Sequence, residues 1–170
     1  MTVEEIFSRM KAHALEGMVF HDEMARYFDF LNLCGYRECH KMHYEGETEG
    51  YRKLCEYYMN HFNRLLPNAP MERPNVIPES WLGYTRQDVD AGTKTSAVKT
   101  AIKRWVGWER ETKDLYESMY AELLNENEIA AASFVLEYVK DVDRELKDAE
   151  KMHIDLESVG YDIGFILSNQ

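Results

Sequence analysis

Apolar side chains recur at steps of three and four along four stretches of the chain, the period that lines them up on one face of an α-helix. In the first stretch the line runs through Ile6, Met10, His13, Gly17, Phe20, Met24, Tyr27 and Leu31. Thr2, with Glu5 three residues on, forms a capping box that starts this helix at the N-terminus. Cys34 and Gly35 predict a short turn, and from about Tyr36 a second stripe passes through Cys39, His43, Gly46, Gly50, Leu54, Tyr57, His61 and Leu65. Gly46 and Gly50 each weaken a helix by about 1 kcal/mol relative to alanine, which predicts a kink or a close packing contact there.

The third stripe, capped by Thr95 or Ser96, is Val98, Ile102, Trp105, Glu109, Thr112, Tyr116, Met119 and Leu123. A turn at Asn125-Glu126-Asn127 leads into the fourth: Val135, Val139, Val142, Leu146, Ala149, His153 and Leu156, stopped by Gly160. The expected helices span 3–33, 36–66, 96–124 and 128–159, and residues 161–170 have no assigned element. Between the second and third helices, Pro67, Pro70, Pro74 and Pro78 break the pattern over 67–95. Connections of this length cross the surface or carry function, and Trp81, Leu82 and Tyr84 are the residues expected to pin this one. A helical hairpin, a long crossover and a second hairpin predict an all-α four-helix bundle occupying 1–170 as one domain.

Composition narrows the function classes. The chain has 170 residues, 45% of them hydrophobic, enough for a real core. Its formal net charge of -11 repels nucleic-acid phosphates and anionic membranes, so broad nucleic-acid binding is not expected. Three cysteines, Cys34, Cys39 and Cys55, lack zinc-finger spacing and read as reduced thiols. The acidic N-terminus has no secretory pattern and no apolar run is long enough to span a bilayer, which together predict a cytoplasmic protein. Phosphate loops, nucleophile elbows and His-Glu-x-x-His are absent from the sequence.

Polar residues on the stripes are the informative exceptions, because they must find partners inside the bundle. Counting from the hairpin turns levels Glu16 with Glu49 and Arg52, and Glu109 with Asp143. One carboxylate per helix at one level is raw material for a site holding two metal ions. Such sites also use Glu-x-x-His on two helices, whereas Glu49-Gly-Tyr-Arg52 carries arginine and Asp143-Arg-Glu-Leu146 carries leucine. A salt-bridge network around Arg52 and Arg144 is the alternative. Glu150 and His153 form the chain's one Glu-x-x-His, joined at that bundle end by His61 and, about a turn deeper, His13. Such a set suits iron, manganese or zinc; three separate core-edge imidazoles, each with one hydrogen bond, are the alternative. His40 and His43 fall at the opposite end, where they could bind a metal, although such a pair is more often solvated or at the core edge; His21 could reach the mid-level network, with core satisfaction the more usual role.

The wiring, together with Glu150 and His153, resembles the ferritin-like superfamily over about 125 residues of the four helices. The resemblance implies a metal-carboxylate centre and oxidase, reductase or iron-storage roles. At a finer level, Phe20-His21-Asp22-Glu23-Met24-Ala25-Arg26-Tyr27-Phe28-Asp29-Phe30-Leu31 and Ser80-Trp81-Leu82-Gly83-Tyr84-Thr85-Arg86-Gln87-Asp88-Val89-Asp90 look like an uncharacterised helical family encoded in prophages of Gram-positive bacteria. That likeness implies a second function class, an acidic interaction or inhibitor protein whose crossover offers Trp81, Tyr84 and Arg86 to a host or phage protein.

Overall fold

A computed structural model of the chain describes residues 1–168. Its long helices are α1 (Val3–Phe30), α2 (Cys34–Phe62), α3 (Ala91–Asn125) and α4 (Ile129–Ser158), followed by a short α5 (Ile163–Ser168). α1 pairs with α2 and α3 with α4 as two antiparallel hairpins, and the segment between α2 and α3 crosses from one hairpin to the other. Thr2 and Glu5 make the expected reciprocal capping box on α1. Among the described residues, no helix is long and apolar enough to cross a membrane.

Tight turns close the hairpins at asparagines, which tolerate the left-handed backbone region better than most residues. Asn127 has φ 60° between α3 and α4, as the sequence leads one to expect, but the first turn lies at Asn32 (φ 57°) and not at Cys34–Gly35, which open α2 instead. α2 also ends sooner than expected, because Asn63 (φ 53°) caps it in the left-handed region. α3 begins earlier than Thr95: the Asp90 carboxylate accepts the Thr93 backbone N–H at 2.7 Å, and the helix starts at Ala91. The residues after α4 turn at Gly160 and Tyr161, both at positive φ, so that Tyr161 and Ile166 are buried.

The core has two apolar clusters. One, at the α1–α2 turn end, includes Phe28, Leu31, Ile102, Trp105, Leu156 and Ile166; the other, at the opposite end, includes Ile6, Phe7, Met10, Leu54, Leu123 and Val135. Each such side chain removed from water contributes about 1.5–3 kcal/mol. The stripes read from the first and third helices are buried throughout. α2 differs: of the expected stripe only Leu54 is fully buried, together with Tyr36 and with His40 and Tyr58, each one residue off the stripe. Gly46 leaves the helix unbroken, while the Gly50 carbonyl accepts the Tyr138 hydroxyl at 2.7 Å, a close contact between α2 and α4. The crossover is tied down by Val76, buried at 2% exposure, by Arg104 donating to the Asn75 and Val76 carbonyls, and by Trp81 packed on Tyr27.

Candidate metal centre

Between the two apolar clusters the core turns polar. His13, Glu16, His21, His40, Glu109 and Thr112 are all buried in this belt. α3 supplies Glu109, fully buried one turn after Trp105, whose indole N–H donates to Glu109 Oε1 at 2.9 Å. From α1 comes His21, also fully buried, with Nε2 3.6 Å from the same Oε1. His43 of α2 completes the group, its ring stacked on His21 with centroids 5.0 Å apart. One ligand atom from each of His21, His43 and Glu109 lies within 4.8 Å of the other two, and no other trio of His, Cys, Asp or Glu among the described residues does this.

Their neighbours fix how these groups point. His21 Nδ1 and His40 Nδ1 stand 3.0 Å apart, so one holds the proton and the other accepts it. With the proton on His21 Nδ1, Nε2 keeps its lone pair, and that atom is buried without a hydrogen-bond partner; so is Glu109 Oε2. Two buried atoms left unsatisfied at one place are costly unless something binds there. His43 Nδ1 lies 3.7 Å from Glu145 Oε1 of α4, the carboxylate–histidine arrangement that orients metal-binding imidazoles.

A fourth acid enters from α2. A Cβ at Gly17 would lie 2.6 Å from Glu47 Oε1, so the missing side chain of Gly17 is the space that receives the Glu47 carboxyl. The electrostatics follow from this crowding. Burial pushes Glu109 up to about 7, against the pull of His43 and the Trp105 N–H. Burial, with repulsion from Glu145 and Glu109, also raises Glu47 well above the carboxylate range. His21 is held down to about 3 by burial and by His43, and His40 is likewise lowered by burial. Burial opposes the charge on His43, but hydrogen bonding with Cys39 and Glu145 outweighs it and brings the imidazole to about 10. The belt thus sets the free lone pair of His21 and the buried carboxyls of Glu109 and Glu47 around one imidazolium, His43, whose proton a metal ion would displace.

Only Glu109 of the four expected mid-bundle carboxylates faces this centre. Glu16 is buried on another side of α1, where it takes Arg9 Nη1 at 2.9 Å and the Glu72 backbone N–H at 3.0 Å. Burial works against its charge, but hydrogen bonds from His13, Arg9 and Glu72 hold it at about 2. Glu49 points outward to Arg52 and Lys53, and Asp143 is bound by Lys113 and Lys147. The four-carboxylate ring at those positions is therefore corrected. Glu47 and Glu145 take the places of Glu49 and Asp143, each two residues away and so about 200° around its helix.

Nor does the Glu150, His153, His61 and His13 set gather. Glu150 pairs with Arg110 at 2.8 Å, His153 Nδ1 meets the Tyr161 hydroxyl at 2.9 Å, and His61 stacks on Tyr57. His13 lies in the belt but is bonded to Thr112 at 2.7 Å and stacked on Trp108. Trp81, Tyr84 and Arg86 sit together on the crossover, Trp81 stacked on Tyr84 and Arg86 reaching Asp29 at 3.4 Å. Sequence reasoning passed over Glu47 and weighed His43 only as a metal ligand at the far end of the bundle; His40-x-x-His43-x-x-x-Glu47, three chemically active side chains at one-face spacing on α2, was the signal that joins them.

No protein-family model matches the sequence, and no curated protein matches it. Solved structures do. A humanized archaeal ferritin matches with a TM-score of 0.79 at 17% identity, over 96% of this chain and 90% of that one. An open-pore ferritin from the hyperthermophilic archaeon Archaeoglobus fulgidus gives the same values, and an engineered closed form of that ferritin a TM-score of 0.77 at 16% identity, over 100% of this chain and 98% of that one. The fold of this chain is that of the ferritin-like four-helix bundle.

Proposed function

We propose that this protein binds a transition metal, iron first among the candidates, in the bundle interior through His21, His43 and Glu109. The single observation that carries the reading is the pair of buried, unsatisfied atoms, His21 Nε2 and Glu109 Oε2, within one group of three potential ligands. Two imidazoles and one carboxylate are a donor set suited to Fe(II), softer than an all-oxygen site and harder than a thiolate site. Bound iron would supply one-electron redox chemistry that no side chain offers. The chain's own residues do the rest: His40 and Glu145 orient the imidazoles, Trp105 holds Glu109 by one oxygen, and the two apolar clusters exclude water from both ends of the belt. Metal analysis of protein purified without a histidine tag tests this. The expected result is iron retained by the wild type and by His153→Ala, and lost from His21→Ala and Glu109→Ala. Equal metal content in all four proteins, or none in the wild type after incubation with Fe(II), overturns it.

A further inference from the structure

Resting on that metal reading, we propose that Glu47 is a fourth ligand held in reserve: its carboxyl rests in the notch at Gly17 and swings one helical turn to meet a metal held by His21, His43 and Glu109. The helix register places it there. α1 and α2 run antiparallel about the turn at Asn32, so Gly17 faces Glu47 on one rung and His21 faces His43 on the next. The rungs are one turn apart on each helix, about 5.4 Å. A helical side chain leans toward the N-terminus of its own helix, and for Glu47 that direction leads to His43.

Shape alone holds the carboxyl where it rests. A Cβ at Gly17 would lie 2.6 Å from Oε1, 2.7 Å from Cδ and 3.1 Å from Oε2 of Glu47, so the notch takes the whole carboxyl. Among the described residues, no hydrogen bond or ion pair ties it there. The charged groups that act on it are Glu145, Glu109 and His43, two of them members of the ligand group. Its own oxygens lie outside the set that closes to within 4.8 Å, so it has to move to bind. Coordination supplies the reason for moving. Three protein ligands leave positions open on a transition metal, and two neutral imidazoles with Glu109 set a single negative charge directly against a divalent ion. Glu145 is turned to His43 Nδ1 at 3.7 Å and acts only through that ring. A charge left uncompensated between two apolar clusters is costly, and the Glu47 carboxylate offsets it. Glu47 and His43 both line the pocket of about 630 Å³ between α2 and α4, so the carboxyl has room to turn.

Co(II) is the probe: its retention by the wild type tests the metal reading, and two substitutions test the fourth ligand. Glu47→Gln keeps the shape of the side chain. It should weaken Co(II) by about tenfold in competition with a chelator, and should change the Co(II) visible absorption as a carboxylate leaves the coordination shell. Gly17→Ala fills the notch but keeps the carboxylate, so it should hold Co(II) at least as tightly as the wild type and with the wild-type spectrum. Wild-type affinity and spectrum in Glu47→Gln overturn the proposal while the metal reading stands. A Gly17→Ala protein that loses affinity as Glu47→Gln does also overturns it, because Glu47 would then act from the notch. A wild type that retains no Co(II) overturns both readings.

Discussion

Glu109→Gln in the metal-free protein is a sharp perturbation, because it removes a charge while keeping the shape. Glu109 is fully buried and its Oε2 has no partner, so the ionised form is held up only by the Trp105 N–H and by His43 and His13. The rise of its pKa from 4.5 to about 7 amounts to about 3 kcal/mol. The sign is set by which state loses the proton first. Below about pH 4.5 both folded and unfolded carboxyls are neutral; between there and about pH 7 only the unfolded one ionises, so stability falls as pH rises and levels off above. Glutamine has no such loss. Denaturant midpoints measured after chelation at about pH 5 and about pH 8 should therefore be nearly equal for the two proteins at the lower pH, and should favour Glu109→Gln by about 2–3 kcal/mol at the higher. Added Fe(II) should reverse the order, since metal at a hundred times its Kd stabilises the wild type by about 2.7 kcal/mol and the variant little. A variant that is less stable than the wild type at both pH values without metal would refute the reasoning, because it would mean the buried carboxylate is already satisfied.

Other residues give independent checks. Glu16 is held at about 2, so it contributes stability above about pH 4.5 that is lost as pH falls through 2; Glu16→Gln should flatten the acid limb of the stability curve by about 2 kcal/mol, after allowance for the half-exposed Arg9. An unchanged acid limb would place its hydrogen bonds elsewhere. Gly17→Ala should gain about 1 kcal/mol in helix propensity, with Glu47 turning outward because the atoms in its way are the end of a flexible side chain. A loss of stability would show that Glu47 is fixed in place. His153→Ala should cost about 1 kcal/mol through its bond to Tyr161, read as a lower denaturation midpoint, with no change in metal content.

Much of the fold lay open in the sequence, and the reasons are local. The stripes of α1, α3 and α4 were readable because their buried faces are nearly unbroken apolar series at helical spacing, and Thr2 with Glu5 marks a helix start by chemistry alone. α2 was harder. It buries only Tyr36, His40, Leu54 and Tyr58, so its amphipathic signal is thin and a face about one residue out of phase fits the pattern equally well. The miss at the site came from the turn: with it set at Cys34–Gly35 and not at Asn32, levels on α2 slid by about five residues, which left His43 away from His21. The turn position itself was decided by Asn32, whose tolerance of positive φ outweighed the glycine at 35. Glu109 was legible because a charged residue between Trp105 and Thr112 on a strongly periodic stripe has nowhere else to go. Gly17 was not, since its role is to leave room for a side chain of another helix, and no single-helix pattern shows that.

Anomalous diffraction from a crystal grown with Fe(II) tests the central claim most directly. The account predicts one strong peak at the iron edge, about 2.0–2.2 Å from His21 Nε2, a nitrogen of His43 and an oxygen of Glu109. A map with no peak in the belt, or with its peak beside Glu150 and His153 instead, would contradict it.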